Sequence, residues 1–176
     1  MSLVTSPTIS GNTSTELMPD GQELFVQTLR PLNPSITQFN GAAMLSSVAD
    51  LEPTQFILQV QDPTNPSDTR FLHVLQGANA NTIMAPATYL QSTAGTAFDG
   101  AQFSNVAAFF PVSSTTPFTG TTLSTPQAVG TVLVTGLTPG AGYSVIVAQT
   151  YGPSTIAINP GGPYTADAAG VLVITF

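Results

Sequence analysis

One histidine, His73, nine carboxylates and no cysteine make up most of the chain's conventional catalytic and metal-binding chemistry. A serine nucleophile would have to use His73 as its base. The segment Arg70–Gln76 predicts a strand, with Phe71 and Leu75 on the same face as His73. A histidine in that setting is expected to be a satisfied core or sheet residue. Zinc normally takes several His or Cys ligands, and one His with no Cys excludes it. Calcium takes oxygen ligands alone. Asp62, Asn65 and Asp68 share one loop and form a candidate calcium site. The same residues, in a proline-rich segment, also fit a turn whose Asx side chains bond the backbone. Their spacing matches no EF-hand. A glycosidase needs two acids about 5–10 Å apart, and nine acids scattered over predicted loops reveal no such pair. No glycine-rich phosphate loop precedes a helix. The chain is therefore expected not to be an enzyme and to carry no cofactor, with calcium the one candidate ion.

Binding chemistry is better supplied. Sugar-binding modules stack an exposed aromatic ring on a pyranose face. Trp is absent, so Tyr89, Tyr151 and Tyr164 are the candidate platforms. Tyr also serves as ordinary packing or edge cover. Asn12-Thr13-Ser14 is a sequon, which makes Asn12 a candidate glycosylation site.

Charge excludes two further classes. Only 6% of residues are charged, against about 25% in an average domain. Arg30 and Arg70 are the only Lys or Arg residues, and the net charge is −7. Nucleic-acid binding needs clustered cations, as does an anionic membrane surface. No run approaches the ~20 apolar residues of a membrane helix. Residues 1–20 lack the basic and apolar regions of a signal peptide.

The elements that must position these groups are strands. Residues 1–19 are rich in Ser and Thr and are expected to form an N-terminal extended arm or edge strand, with residues 20–176 as a single domain. Leu3, Val4, Thr5 and Ile9 are the arm's candidate assembly contacts. Leu24–Leu29 reads as a strand stopped by Pro31 and Pro34, and Thr54–Gln61 sets Gln among apolar residues as a half-buried strand should. Arg70–Gln76 is apolar on both faces and is expected to be central. Shorter strands are expected at Thr88–Ser92, Ala101–Phe103, Val106–Phe110, Ala128–Thr135, Gly142–Gln149, Ser154–Ile158 and Val171–Phe176. Residues 113–126 predict a polar loop with an edge strand. No useful stretch carries a 3.6-residue period. About ten short strands with turns every 8–12 residues predict an all-β, antiparallel β-sandwich.

Two stretches carry a resemblance. One is Thr69–Gly77, followed by Gly95–Ala101 and Val106–Pro111; the other is Gly136–Val145, followed by Ala166–Leu172. Over about residues 40–176 they resemble the C-terminal β-sandwich of heparinase II/III-like bacterial polysaccharide lyases. That family's catalytic residues lie mainly upstream of this sandwich, so the resemblance implies a fold and an extracellular carbohydrate setting, with no catalytic residue carried over. Leu137–Tyr143 is also similar to the tyrosine corner of Ig-like and fibronectin type III sandwiches. It implies that Leu137 points into the core and that the Tyr143 hydroxyl bonds back to the chain just before it.

Two functions follow as expectations. The first is a non-catalytic structural subunit, extracellular or on the cell surface. It would assemble with copies of itself into a filament, sheath or surface layer, by adding its arm to a neighbour's sheet edge. The alternative is a carbohydrate-binding or accessory module of a polysaccharide-degrading enzyme.

Overall fold

A computed structural model describes residues 5–40, 56–126, 129–149 and 153–176. The described chain is all-β, with fifteen strands and no helix. It forms two compact units, residues 1–84 and 85–176.

In unit 1, Thr8–Ser10 (β1) and Thr13–Leu17 (β2) form a hairpin. Its two-residue turn, Gly11-Asn12, uses a positive φ of 59° at Gly11, which an L side chain adopts only with strain. β2 pairs with Gln22–Arg30 (β3), and β3 with Leu72–Asn79 (β6), giving an antiparallel sheet of order β1-β2-β3-β6. Residues 8–17 of the Ser/Thr-rich segment are thus already hydrogen-bonded within their own unit. Phe25, Leu29, Thr28 and Ser14 are buried. β6 corrects an expectation: it ends the sheet rather than lying at its centre, and Leu75 is 63% exposed. Ser35–Asn40 (β4) and Phe56–Gln61 (β5) form a separate two-stranded sheet.

Unit 2 holds a nine-stranded sheet. Its strands are Ala87–Gly95 (β7), Phe98–Phe103 (β8), Val106–Pro111 (β9), Thr121–Thr125 (β10), Thr131–Val134 (β11), Gly142–Gln149 (β12), Ser154–Pro160 (β13), Tyr164–Thr165 (β14) and Leu172–Thr175 (β15). Their order is β14-β12-β13-β10-β7-β8-β9-β11-β15. All pairs are antiparallel except β9/β11, which is parallel, so the wholly antiparallel expectation needs correction. A parallel pair needs a crossover, and here the chain passes through β10 in the other half of the sheet.

β7 is the pivot. Residues 87–91 pair with β8, whereas 92–95 pair with β10 across a register shift. Inward residues from both halves meet in one core: Phe98, Phe109, Val132 and Leu172 from one side, Leu123, Ile156 and Ile158 from the other. The sheet therefore wraps around a single core and is nearly closed. Gly100 makes room for Phe109, because a Cβ there would lie 2.5 Å from the Ala108 carbonyl oxygen and 2.7 Å from the Phe109 ring.

β10 also differs from the expected edge strand, since it lies between β13 and β7. Its polar character is compatible with burial because Thr121 donates its hydroxyl hydrogen to the Thr96 carbonyl at 2.9 Å.

Tyr143 is 3% exposed and packs edge-on against Phe118, which does the same to Phe98. The Thr138 N–H donates to the Tyr143 hydroxyl oxygen at 3.0 Å, and the neighbouring Leu137 is buried. Removing the oxygen leaves that N–H without its acceptor. Tyr143→Phe is expected to destabilise unit 2 by about 0.5–1.5 kcal/mol, measured as a shift in the urea midpoint with an unchanged slope.

Candidate functional site

Among its described residues unit 1 carries a cleft of about 350 Å³ where β5 runs into the loop that leads to β6. Val60 and Gln61 close one side, Asp62 and Asn65 supply the turn, and Thr69 and Phe71 close the other. Asp-Pro-Thr-Asn-Pro forces the chain to turn: the prolines break pairing, Asn65 takes a positive φ of 48° and its N–H donates to the Asp62 carbonyl at 3.1 Å.

Asp62 organises this turn. Its Oδ1 accepts from the Thr64 hydroxyl at 2.6 Å and the Thr64 N–H at 3.0 Å. The Thr64 hydroxyl and then its amide hold the carboxyl below the usual range, with a smaller contribution from the Arg30 charge. Asp62 is therefore an anion at neutral pH. Both bonds fall on Oδ1, so Oδ2 keeps acceptor capacity for a ligand hydroxyl.

Phe71 is the apolar element. It is 52% exposed, and its ring lies nearly parallel to that of His73, with centroids 6.2 Å apart and planes 17° apart. His73 is in turn fixed by Thr28, whose hydroxyl oxygen lies 3.0 Å from Nδ1. Thr28 and His73 face each other across β3 and β6. The sheet thus anchors an imidazole, and the imidazole backs an exposed phenyl ring.

Burial lowers the His73 pKa from its ordinary value near 6.5. The fold therefore favours neutral imidazole, while the unfolded chain still takes up a proton near pH 6.5. This contribution to stability is complete above pH 6.5 and is lost as pH falls below it toward the lower folded value. Unit 1 is expected to melt at a lower temperature at pH 5.5 than at pH 7.5, and His73→Gln is expected to remove most of that difference. Equal pH dependence in both proteins would contradict the assignment.

The other residues singled out by sequence lie apart from this cleft. Asp68 is exposed and does not line it. Among the described residues no group of three or more His, Cys, Asp or Glu gathers as a metal site. Tyr89 is half-buried, and its hydroxyl donates to Asp99 Oδ1 at 2.5 Å. Tyr164 is 44% exposed on β14, which pairs with one end of β12. Tyr151, Leu3 and Val4 lie outside the described residues. Thr5 donates to the Leu17 carbonyl at 3.0 Å, and Ile9 pairs with Ser14 inside the β1/β2 hairpin. Asn12 is half-buried and its Nδ2, the atom a glycan would occupy, donates to the Thr28 carbonyl at 2.8 Å. Glycosylation there has to displace that bond.

Phe71, which the sequence places in a buried strand, is instead about half exposed and lines the cleft. The available signal was its place: it follows a proline-rich turn carrying Asp62 and Asn65, where a chain emerging from a loop presents side chains to solvent.

Compared with known proteins, the chain matches no family model and no curated protein.

Proposed function

We propose that the chain is a non-catalytic extracellular module whose unit 1 cleft binds one ring of a neutral polysaccharide. The observation that carries this reading is the pairing of exposed Phe71 with Gln61, Asp62, Asn65 and Thr69 around one small cleft. A sugar ring has an apolar C–H face and a polar rim. An aromatic face suits the first, and a few placed donors and acceptors suit the second. Among the described residues one acid, Asp62, lines the cleft, and no second carboxylate there completes the pair a glycosidase needs. His73 backs Phe71 and is committed to Thr28, which favours a supporting role over that of a base.

The resemblance to heparinase-like C-terminal sandwiches agrees with this reading, since Thr69 and Phe71 lie within the first resembling stretch. The sandwich itself is part of the proposal: the two halves of the unit 2 sheet, divided at β7, are its two layers. The experiment is a glycan array followed by calorimetric titration of the best binder against the intact protein and Phe71→Ala. Saturable binding lost in the variant supports the cleft; binding at equal affinity in both sinks it.

The second reading is a self-assembling structural subunit. Residues 85–176 contain two acids, Asp99 and Asp167, and no Lys, Arg or His. Little charge repulsion therefore opposes contact between copies through this unit.

A further inference from the structure

We infer that β12 is a docking edge for β12 of a second copy of this chain. The inference goes beyond the sugar cleft and gives the self-association reading a specific interface. β14 pairs only with Gly142 and Tyr143. From Ser144 to Gln149, β13 occupies one side of β12, and among the described residues no strand occupies the other. Such an edge presents unpaired backbone donors and acceptors, which proteins usually shield with Lys, Pro, a bulge or covering chain. Ser144-Val-Ile-Val-Ala-Gln149 contains no charge and no proline. Ile146 is 65% exposed and Val147 38%.

The pattern of the segment argues for a second copy over an unrelated partner. An antiparallel two-fold axis through Ile146 sets Ile146 against Ile146, Val145 against Val147 and Ser144 against Ala148. Every such pair is apolar or small, and no like charges meet. Faces match as well. Tyr143 and Val145 belong to or pack against the core, so Ile146 points to the opposite face. In this register each copy's Ile146 covers its counterpart, and the Val145/Val147 rows join the two cores. The unit's two acids are engaged elsewhere: Asp99 is 8% exposed and accepts from Tyr89, and Asp167 Oδ1 accepts from the Ala169 and Val171 amides at 2.8 and 2.9 Å. The contact is isologous and closes as a dimer. A single strand pair lies at the small end of specific interfaces, so the dimer is expected to be reversible.

The absence of cysteine permits a register-specific test. Full-length wild type, Ile146→Lys, Ile146→Cys and Thr155→Cys are compared by sedimentation equilibrium and by mild oxidation on non-reducing gels. Thr155 is exposed on β13, away from the open edge. Wild type is expected to rise from monomer to dimer mass with concentration. Ile146→Lys is expected to stay monomeric with an unchanged circular dichroism spectrum. Ile146→Cys is expected to yield a disulfide dimer, because directly opposed antiparallel residues fall within disulfide reach, and Thr155→Cys is not. A dimer that survives Ile146→Lys, or equal crosslinking of the two cysteine variants, overturns the β12 interface while leaving self-association standing. A monomer at every concentration overturns both, and neither result bears on the sugar cleft.

Discussion

Phe109→Ala is expected to destabilise unit 2 by about 3–5 kcal/mol, the usual cost of removing a buried phenyl group that its surroundings cannot replace. Phe109 is fully buried in β9 and faces Gly100 across the strand pair. Gly100 has no side chain with which to fill the void, and its partner strands are fixed on both sides. Repacking is therefore limited, which places the cost toward the upper part of that range. A single domain typically has about 5–15 kcal/mol of stability in total, so the loss is a large share of it. Circular dichroism in urea is expected to show the unit 2 transition at much lower denaturant. With two compact units, two transitions are expected, and the unit 1 midpoint should hold. Gly100→Ala tests the same contact from the other side: it overpacks the site and is expected to cost about 1–3 kcal/mol. An effect of Phe109→Ala below about 1 kcal/mol would mean that the two halves of the sheet do not close on this core.

The second large effect is functional. Phe71→Ala is expected to lower sugar affinity at least about tenfold, since covering a Phe face is worth about 1.5–3 kcal/mol when complete and each 1.4 kcal/mol is a factor of ten. The same change is expected to alter stability by only about 1 kcal/mol or less, because half of the side chain is already in water. This separation of affinity from stability distinguishes a binding platform from a packing residue. His73→Gln adds a graded test. It keeps a hydrogen-bonding partner for Thr28 and removes the ring that backs Phe71, so affinity should fall less than in Phe71→Ala.

Much of the all-β character was legible in sequence. Thr54–Gln61 reads as a half-buried strand from its glutamines set among apolar residues, and the described part of that run is β5, with Gln59 and Gln61 exposed and the apolar residues half-buried. The absence of a helical period was equally plain. The failures have physical causes. β10 is Thr-Thr-Leu-Ser-Thr, which suggests a surface loop, yet Thr121 is buried with its hydroxyl on a backbone carbonyl. Composition cannot reveal such a bond, because its acceptor lies 25 residues away. β6 was misplaced for the opposite reason. Apolar residues on both faces usually mean a central strand, whereas here Leu75 remains largely exposed at a sheet edge. β4, Ser-Ile-Thr-Gln-Phe-Asn, was passed over because it is short and polar.

The site was less legible than the fold. Tyr89 looked like a platform because its partner, Asp99, lies on the next strand and could not be paired with it in advance. Asp62 and Asn65 were singled out for calcium, and they line a cleft whose missing member was Phe71. The loop was visible in sequence, and what it faces was not, since that depends on how β5 and the start of β6 are brought together.

The most direct measurement is titration of the intact protein, wild type beside Phe71→Ala, with the neutral oligosaccharides selected by the array, followed by amide chemical shifts. Saturable shifts confined to residues around 60–71 in wild type, and at least tenfold weaker in the variant, are the predicted result. No saturable shift with any oligosaccharide, or equal affinity in the two proteins, would contradict a sugar-binding cleft.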